Sequence, residues 1–426
     1  MSSRRFFLKA GGLALFAAGI GGVPGFVVNA AQSRKSIRPY KKNKILICIF
    51  QRGAMDGLMA VTPFTDPYLQ KARPTLFMSA ARSAVDPLID LDGRFGLHPA
   101  MSAFEPLFKE KHLAIVHGVG SPNNSRSHFD AQDYMESGMP FTKSGNSGWL
   151  NRAVGLLGHD AATPFQAVSL TSSLPRSFYG DNAAIAIANL NDFSIQLRGN
   201  PMAATTAAKS FEELYDNTSS SLLNNTAKES FEAAKMIRSA DIENYKTSNG
   251  AIYPASPLGK SLQQIARLIK MEVGLEIGFA ECGGWDTHFN QGGATGIFSR
   301  NVKDLSGAIS AFWTDISAYQ DDVEVMTMTE FGRTVQQNGA NGTDHGRASC
   351  MFILGNDIIG GKVYGTVPEL KLENLEDKRD LPVTTDFRAV FNEIAIAHLN
   401  IKDQGTLFPG WNGNGPGLIR TDRQKG

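Results

Sequence analysis

VEVMTMTEFGRTVQQNGANGTDHGRASCMFIL, residues 323–354, is the stretch whose reading decides the fold. It opens on an apolar run, Val323 to Met328, of the length and composition of a buried strand. Thr329 and Glu330 stand at its end, followed by Phe331-Gly332-Arg333. A polar loop rich in Gly and Asn then closes on Gly342-Thr343-Asp344-His345-Gly346. A second apolar run, Cys350 to Leu354, returns to the core. A carboxylate, a guanidinium and an Asp-His pair therefore lie between two neighbouring strands. Open α/β sheets bind ligands outside the carboxyl ends of their strands. The stretch predicts an α/β fold with a metal-dependent site at that edge.

Other strand ends carry the same kinds of residue. Lys44 to Phe50 reads as the first strand, and it breaks into Arg52-Gly53-Ala54-Met55-Asp56-Gly57. Asp56 there is either a cation ligand or a turn residue bonding its own backbone. Leu113 to Val116 reads as a second strand, closing a β-α-β unit around the amphipathic helix Ala100 to Glu110. It is followed by a polar loop and a helix from about Ser127 to Ser137. Ser127 to Asp130 has the S-x-x-D form of a capping box, so Ser127 is an N-cap or, alternatively, an anion-binding or nucleophilic hydroxyl at a helix start. Arg126 and His128 flank it.

Leu275 to Ala280 reads as a strand running into Gly283-Gly284-Trp285-Asp286-Thr287-His288. Asp286 and His288 alternate, so in extended chain both face one way and can meet one cation. Phe165 to Leu170 adds a strand. Pro257 to Met271, about Ile297 to Tyr319, and Asp386 to Leu399 read as helices. Residues 62–97 read as loops and a peripheral excursion. His98 and His398 read as packing residues.

Carboxylates with imidazoles at strand ends are a ligand set for a divalent metal ion: Zn, Mn, Mg or Ca. The metal candidates are Asp56, Asp286, His288, Glu330, Asp344 and His345. Ser127 and His128 are the catalytic candidates, with Arg126, Arg333 or Arg347 to hold ester oxygens as a fork. Two cations about 4 Å apart would suit ester hydrolysis at phosphorus or sulfur.

The 42 Lys+Arg residues balance 41 Asp+Glu, which removes any global electrostatic case for nucleic acid or an anionic membrane. Cys48, Cys282 and Cys350 are odd in number and lack metal spacing. The N-terminus, Ser3-Arg4-Arg5-Phe6-Phe7-Leu8-Lys9, matches the twin-arginine export signature, and Gly-rich apolar chain follows to Val28. Residues 1–31 read as a twin-arginine signal peptide, 32–43 as a basic tether, and 44–426 as one α/β domain with a helical insertion at about 200–255. Six glycines from Gly11 to Gly25, with Pro24, argue against a stable transmembrane anchor. The expected partner is the twin-arginine translocation machinery, and the expected location is periplasmic or otherwise exported.

The motifs RGAMDGL (52–58), SRSHFDAQDYMESG (125–138), GWLNR (148–152), GGWDTHFNQGG (283–293), TEFGRT (329–334) and GTDHG (342–346) together resemble an uncharacterised, twin-arginine-exported bacterial family, a domain of unknown function within the alkaline phosphatase and sulfatase superfamily. The resemblance implies an alkaline-phosphatase-like fold, with a central, mostly parallel sheet flanked by helices. It implies a metal-dependent hydrolase acting on a phosphate or sulfate ester of a small molecule or glycan. Asp56 matches that superfamily's acidic ligand after the first strand, Ser127 (or Ser125) its nucleophile region, and Asp286 with His288 one metal site. Asp344-His345 matches either its Asp-His pair or its later His; in the second case Glu330 takes the place of the pair. No C-x-P-S-R signature of a formylglycine sulfatase occurs. The alternative is a non-catalytic metal- or carbohydrate-binding envelope protein that keeps the fold.

Overall fold

The computed structural model describes residues 43–143, 145–190 and 245–420. The leader, the tether up to residue 42 and the helical insertion up to residue 244 lie outside the described residues. In chain order the strands are β1 (Ile45–Gln51), β2 (Val61–Pro63), β3 (Ile89–Asp90), β4 (Phe95–Leu97), β5 (Leu113–Gly120), β6 (Ala167–Ser169), β7 (Ile185–Ala186), β8 (Ile277–Cys282), β9 (Val323–Met328), β10 (Ser349–Leu354), β11 (Lys362–Tyr364) and β12 (Thr385–Asp386).

The main sheet runs β11-β5-β10-β9-β1-β8-β6-β7, with β12 beside β5. Its pairs are parallel except those made by β10, which is antiparallel to both β5 and β9. Because one antiparallel strand separates β5 from β9, these two point the same way. The carboxyl ends of β1, β5, β8 and β9 and the start of β10 all meet at one edge. The two strands of the opening stretch are indeed neighbours, and the loop between them lies wholly at that edge. β1 and β5 are not adjacent as a simple β-α-β unit would have them, since β9 and β10 intervene.

β1 shows why this is a buried sheet. Ile45, Ile47 and Ile49 enter one core cluster, while Leu46, Cys48 and Phe50 enter another on the opposite face. A strand that is apolar on both sides needs cover on both sides. Helices Pro257–Lys270 and Ile297–Asp315 cover the first face through Leu258, Leu262, Ile265, Val302, Ile309 and Phe312. Helices Trp149–Gly155 and Phe387–Ala397 cover the second, with Trp149 stacked on Phe391 at 4.7 Å between ring centroids. The result is an α/β/α sandwich. Residues 62–97, read from sequence as loops, instead contribute a three-stranded antiparallel sheet, β2-β4-β3. Its strands span two or three residues each, too few to show a period of two.

Cys48, Cys282 and Cys350 are all unpaired. Burial pushes the Cys282 thiol up to about 12, so it offers no thiolate near neutral pH. Among the described residues no helix is long and apolar enough to cross a membrane.

Candidate metal centre

Four side chains from three strand ends converge. His128 opens the helix His128–Ser137 after β5, Asp286 and His288 follow β8, and His345 precedes β10. His345 Nε2 lies 3.0 Å from His128 Nε2, 2.9 Å from His288 Nε2 and 3.2 Å from Asp286 Oδ1. Asp286 Oδ1 is 3.0 Å from His288 Nε2, and Asp286 Oδ2 is 3.4 Å from His128 Nε2. Tetrahedral bonds of 2.0–2.1 Å to nitrogen or oxygen place neighbouring donors about 3.3 Å apart. These separations fit one small cation.

The other ring nitrogens settle which way the lone pairs point. His128 Nδ1 faces Glu330 Oε1 at 2.8 Å, His288 Nδ1 faces Asp344 Oδ1 at 2.8 Å, and His345 Nδ1 faces the Arg126 carbonyl at 2.9 Å. Each partner is an acceptor, so each Nδ1 carries the proton and each neutral Nε2 presents a lone pair inward. Lone pairs facing each other at 3 Å repel unless a proton or a metal ion stands between them. The same pairing of a carboxylate or carbonyl to the outer imidazole nitrogen is how proteins orient metal-binding histidines.

Local backbone geometry makes this possible. In the extended segment Asp286-Thr287-His288, the outer residues face the cluster, and buried Thr287 turns away to donate to Gln291 Oε1 at 2.9 Å. Gly53, at φ +116°, passes so close that a Cβ there would lie 2.6 Å from the Asp286 nitrogen. A Cβ on Gly342 would lie 2.3 Å from the His288 carbonyl. The loop from Glu330 to Arg347 continues the β9–β10 hairpin, with Gly332 N donating to Arg347 O and Thr334 N to Asp344 O, both at 2.9 Å.

Glu330 is completely buried, and its carboxylate accepts from His128, from Gly53 N at 2.8 Å, from Gln132 Nε2 at 2.9 Å and from Thr329 Oγ1 at 3.1 Å. Burial works to raise its pKa, but these donors, His128 first, hold it below the ordinary glutamate value. The Glu330 hydrogen bond in turn raises His128 against the opposing effect of burial. Burial, then the charges of His128 and Arg333, lower His345. Asp286 is held below the usual carboxylate range because Arg333, which donates from Nη1 at 2.6 Å, outweighs desolvation.

The sequence-derived candidates thus divide. His128, Asp286 and His345 form a group able to hold one ion, and His288 Nε2 lies against two of its members, His345 and Asp286. Glu330 and Asp344 sit one bond further out, on the Nδ1 side of two imidazoles. Asp56 is not part of the cluster. It is buried, paired with Arg73 at 2.8 and 3.1 Å, bonded by Gln291 Nε2 at 2.7 Å, and it caps the short helix Gly57–Ala60 through Met59 N. Its oxygens are satisfied within the protein.

Ser127 is the N-cap of its helix but makes no side-chain capping bond, and Asp130 pairs with Lys143 instead, so the expected capping box does not form. The Ser127 hydroxyl is exposed beside His128. The Arg126 guanidinium is taken by Asp377 and Asp380 at 2.7 and 2.6 Å, Arg347 by Glu376 at 2.7 Å, and Arg333 by Asp286 and Thr343. None of the three guanidinium groups stands free as a fork. Sequence reading missed Arg379, whose half-exposed side chain donates from Nη2 to the His345 carbonyl at 2.5 Å and from Nε to Asp380 at 3.0 Å. It also missed Gln132 and Asn338, which brace Glu330 and Asp344. Arg379 lies in a charge run, EDKRD, which reads as a solvated face and gives no signal.

No curated protein matches this sequence. Among solved structures it is similar to the PsFucS1 sulfatase from Pseudoalteromonas sp., with a TM-score of 0.39 and 10% identity over 99% of this chain and 78% of that one. It is also similar to a protein in the alkaline phosphatase superfamily from Vibrio parahaemolyticus, with a TM-score of 0.29 and 11% identity over 79% of this chain and 69% of that one. The model of the family described as "Protein of unknown function (DUF1501)" matches residues 43–406, and the chain belongs to that family.

Proposed function

We propose that this protein binds one divalent metal ion through His128, Asp286, His288 and His345 and hydrolyses a phosphate or sulfate ester there. The observation that carries the reading is the convergence of three histidine Nε2 atoms on Asp286, with every Nδ1 committed to an oxygen acceptor. That donor set suits Zn or Mn better than the all-oxygen preferences of Mg and Ca. An ion bound there supplies Lewis acidity toward an ester oxygen. Glu330, Asp344 and the Arg126 carbonyl fix the imidazoles, and Arg333 fixes Asp286. Arg379 holds Asp380 and the His345 carbonyl through Nε and Nη2, and Nη1 of this half-exposed side chain would receive a non-bridging oxygen. The exposed Ser127 hydroxyl at a helix start serves either as the attacking oxygen or as a donor to the ester. Export through the twin-arginine pathway rests on the Ser3–Lys9 motif, with the domain acting outside the cytoplasm.

A non-catalytic metal- or carbohydrate-binding role competes, because four protein donors close a tetrahedron as structural sites do. The accessibility of the cluster favours catalysis: Asp286 is 44% exposed, and the three histidines are about a quarter exposed. The deciding experiment is metal analysis of protein exported by its own pathway, with a screen of phosphate and sulfate esters on wild type, Asp286→Ala and His345→Ala. About one ion per chain and ester turnover lost in both variants is expected. No bound metal, with both variants behaving as wild type, would sink the reading.

A further inference from the structure

Two large apolar side chains stand in water beside this centre. Phe129 is 91% exposed and Phe289 is 72% exposed, and each directly follows one of the four donors, His128 and His288. Single exposed hydrophobic residues scattered over a surface need no explanation. These two are not scattered. Consecutive Cα atoms are about 3.8 Å apart, so the Cα atoms of both residues lie within roughly 10 Å of the donor cluster.

Their backbone is held. Phe129 is in the first turn of the helix His128–Ser137. Phe289 is bracketed by the His288 carbonyl, which accepts from Asn338 Nδ2 at 2.9 Å, and by Asn290 N, which donates to Ala340 O at 2.9 Å. Phe331 lies against the same imidazoles, with its ring centroid 4.9 Å from His128 and 5.1 Å from His345. Around the donor cluster these rings stand beside polar groups: the exposed Ser127, the Asp344 carboxylate and the half-exposed guanidinium of Arg379. Rigid aromatic side chains offer contact area at little entropic cost, and they favour flat partners.

Resting on the ester-hydrolase reading above, we propose that Phe129 and Phe289 form a platform for a flat ring on the alcohol side of the ester. The substrate class is then a ring-bearing ester, aryl or pyranosyl, rather than a short alkyl ester or an inorganic polyanion. The ring rests on phenylalanine while the anionic group meets the metal centre and Arg379.

Binding of non-hydrolysable analogues tests this apart from turnover. Titration calorimetry on the metal-loaded, full-length protein would compare methylphosphonate, phenylphosphonate and a pyranosyl methylenephosphonate. The same series is run on Phe129→Ala, Phe289→Ala and the double variant, with metal content measured throughout. Wild type is expected to prefer a ring-bearing phosphonate over methylphosphonate by about ten- to a hundredfold. The double variant should lose most of that preference while keeping its metal and its affinity for methylphosphonate. Whether phenyl or pyranosyl binds tighter identifies the ring. A ring preference that is absent in wild type, or that survives in the double variant, overturns the platform alone. A metal-loaded protein that binds none of the three phosphonates overturns both the platform and the ester reading.

Discussion

Asp56 and Asp286 hold equivalent places, each a few residues beyond the carboxyl end of a parallel strand, yet the fold uses them in opposite ways. Asp56, after β1, is sealed: Arg73 grips both oxygens, Gln291 adds a third bond, and water does not reach it. Asp286, after β8, has one buried arginine on Oδ1 and otherwise faces histidine lone pairs and solvent. One network joins them, because Gln291 Oε1 accepts from Thr343 Oγ1 at 2.6 Å and Thr343 Oγ1 accepts from Arg333 Nε at 3.2 Å. The comparison teaches that an acidic residue at a strand end becomes a candidate ligand only where the protein leaves its charge incompletely answered. It also separates two kinds of expected sensitivity, stability at Asp56 and, on the proposed reading, metal affinity at the open cluster.

The largest expected effect tests the sealed side. Asp56→Ala strands the buried Arg73 guanidinium, and breaking one half of a buried pair costs about 3–5 kcal/mol. Chemical denaturation of the metal-free protein measures this, and metal stoichiometry of the folded fraction should stay at one. A variant that folds normally but loses its metal would reverse the roles assigned here. On the open side, His345→Ala should weaken metal binding by about 3 kcal/mol, near a quarter of the roughly 10–16 kcal/mol typical of a four-donor zinc site. Chelator competition reads that loss, and unchanged affinity would remove His345 from the donor set. Asp286 itself is the poorer probe, because deleting it also leaves Arg333 without its carboxylate.

The parts legible in the sequence are those with long-range regularity. β1, β8, β9 and β10 announce themselves as continuous apolar runs, since a sheet covered on both faces needs no polar alternation. The shared edge followed from reading what comes after each run. The sequence could not say on which side of an imidazole a carboxylate lies. Glu330 and Asp344 look like ligands in one dimension, but they bond Nδ1, while His128, which looks like an acid-base residue, offers Nε2 inward. Arg73 was equally invisible: nothing around it in the sequence ties it to Asp56, because the pairing depends on how residues 61–97 fold back.

A smaller effect sharpens the open side. Glu330→Gln keeps the shape but removes the charge that holds the His128 tautomer. Loss of such an outer partner typically costs 10–100-fold in metal affinity, and Asp344→Asn should cost less because Asp344 is more exposed. Affinity titrations of both variants check the order. Equal, negligible effects would mean that the Nδ1 partners do not tune the centre.

The smallest expected effect returns to sealed groups. His98 and His117 are buried, and each accepts a backbone N–H at Nδ1, from Ala100 and Gly118, while Nε2 donates to the carbonyl of Gly293 or Val61. Burial pushes both down to about 4. A second proton would also break the bond at Nδ1. Unfolded histidine titrates near 6.5. Because the folded pKa is depressed, the stabilisation is fully present above 6.5. It falls as the pH drops from 6.5 toward 4, where the unfolded chain binds protons that the folded one refuses. At pH 6 the loss is about 1 kcal/mol per histidine. The metal-free double variant His98→Gln/His117→Gln should therefore show a flatter decline in stability than wild type between pH 7.5 and 5.5. Matching slopes would mean that these imidazoles accept protons in the fold, and that the core around β4 and β5 admits water as freely as the open histidine cluster does.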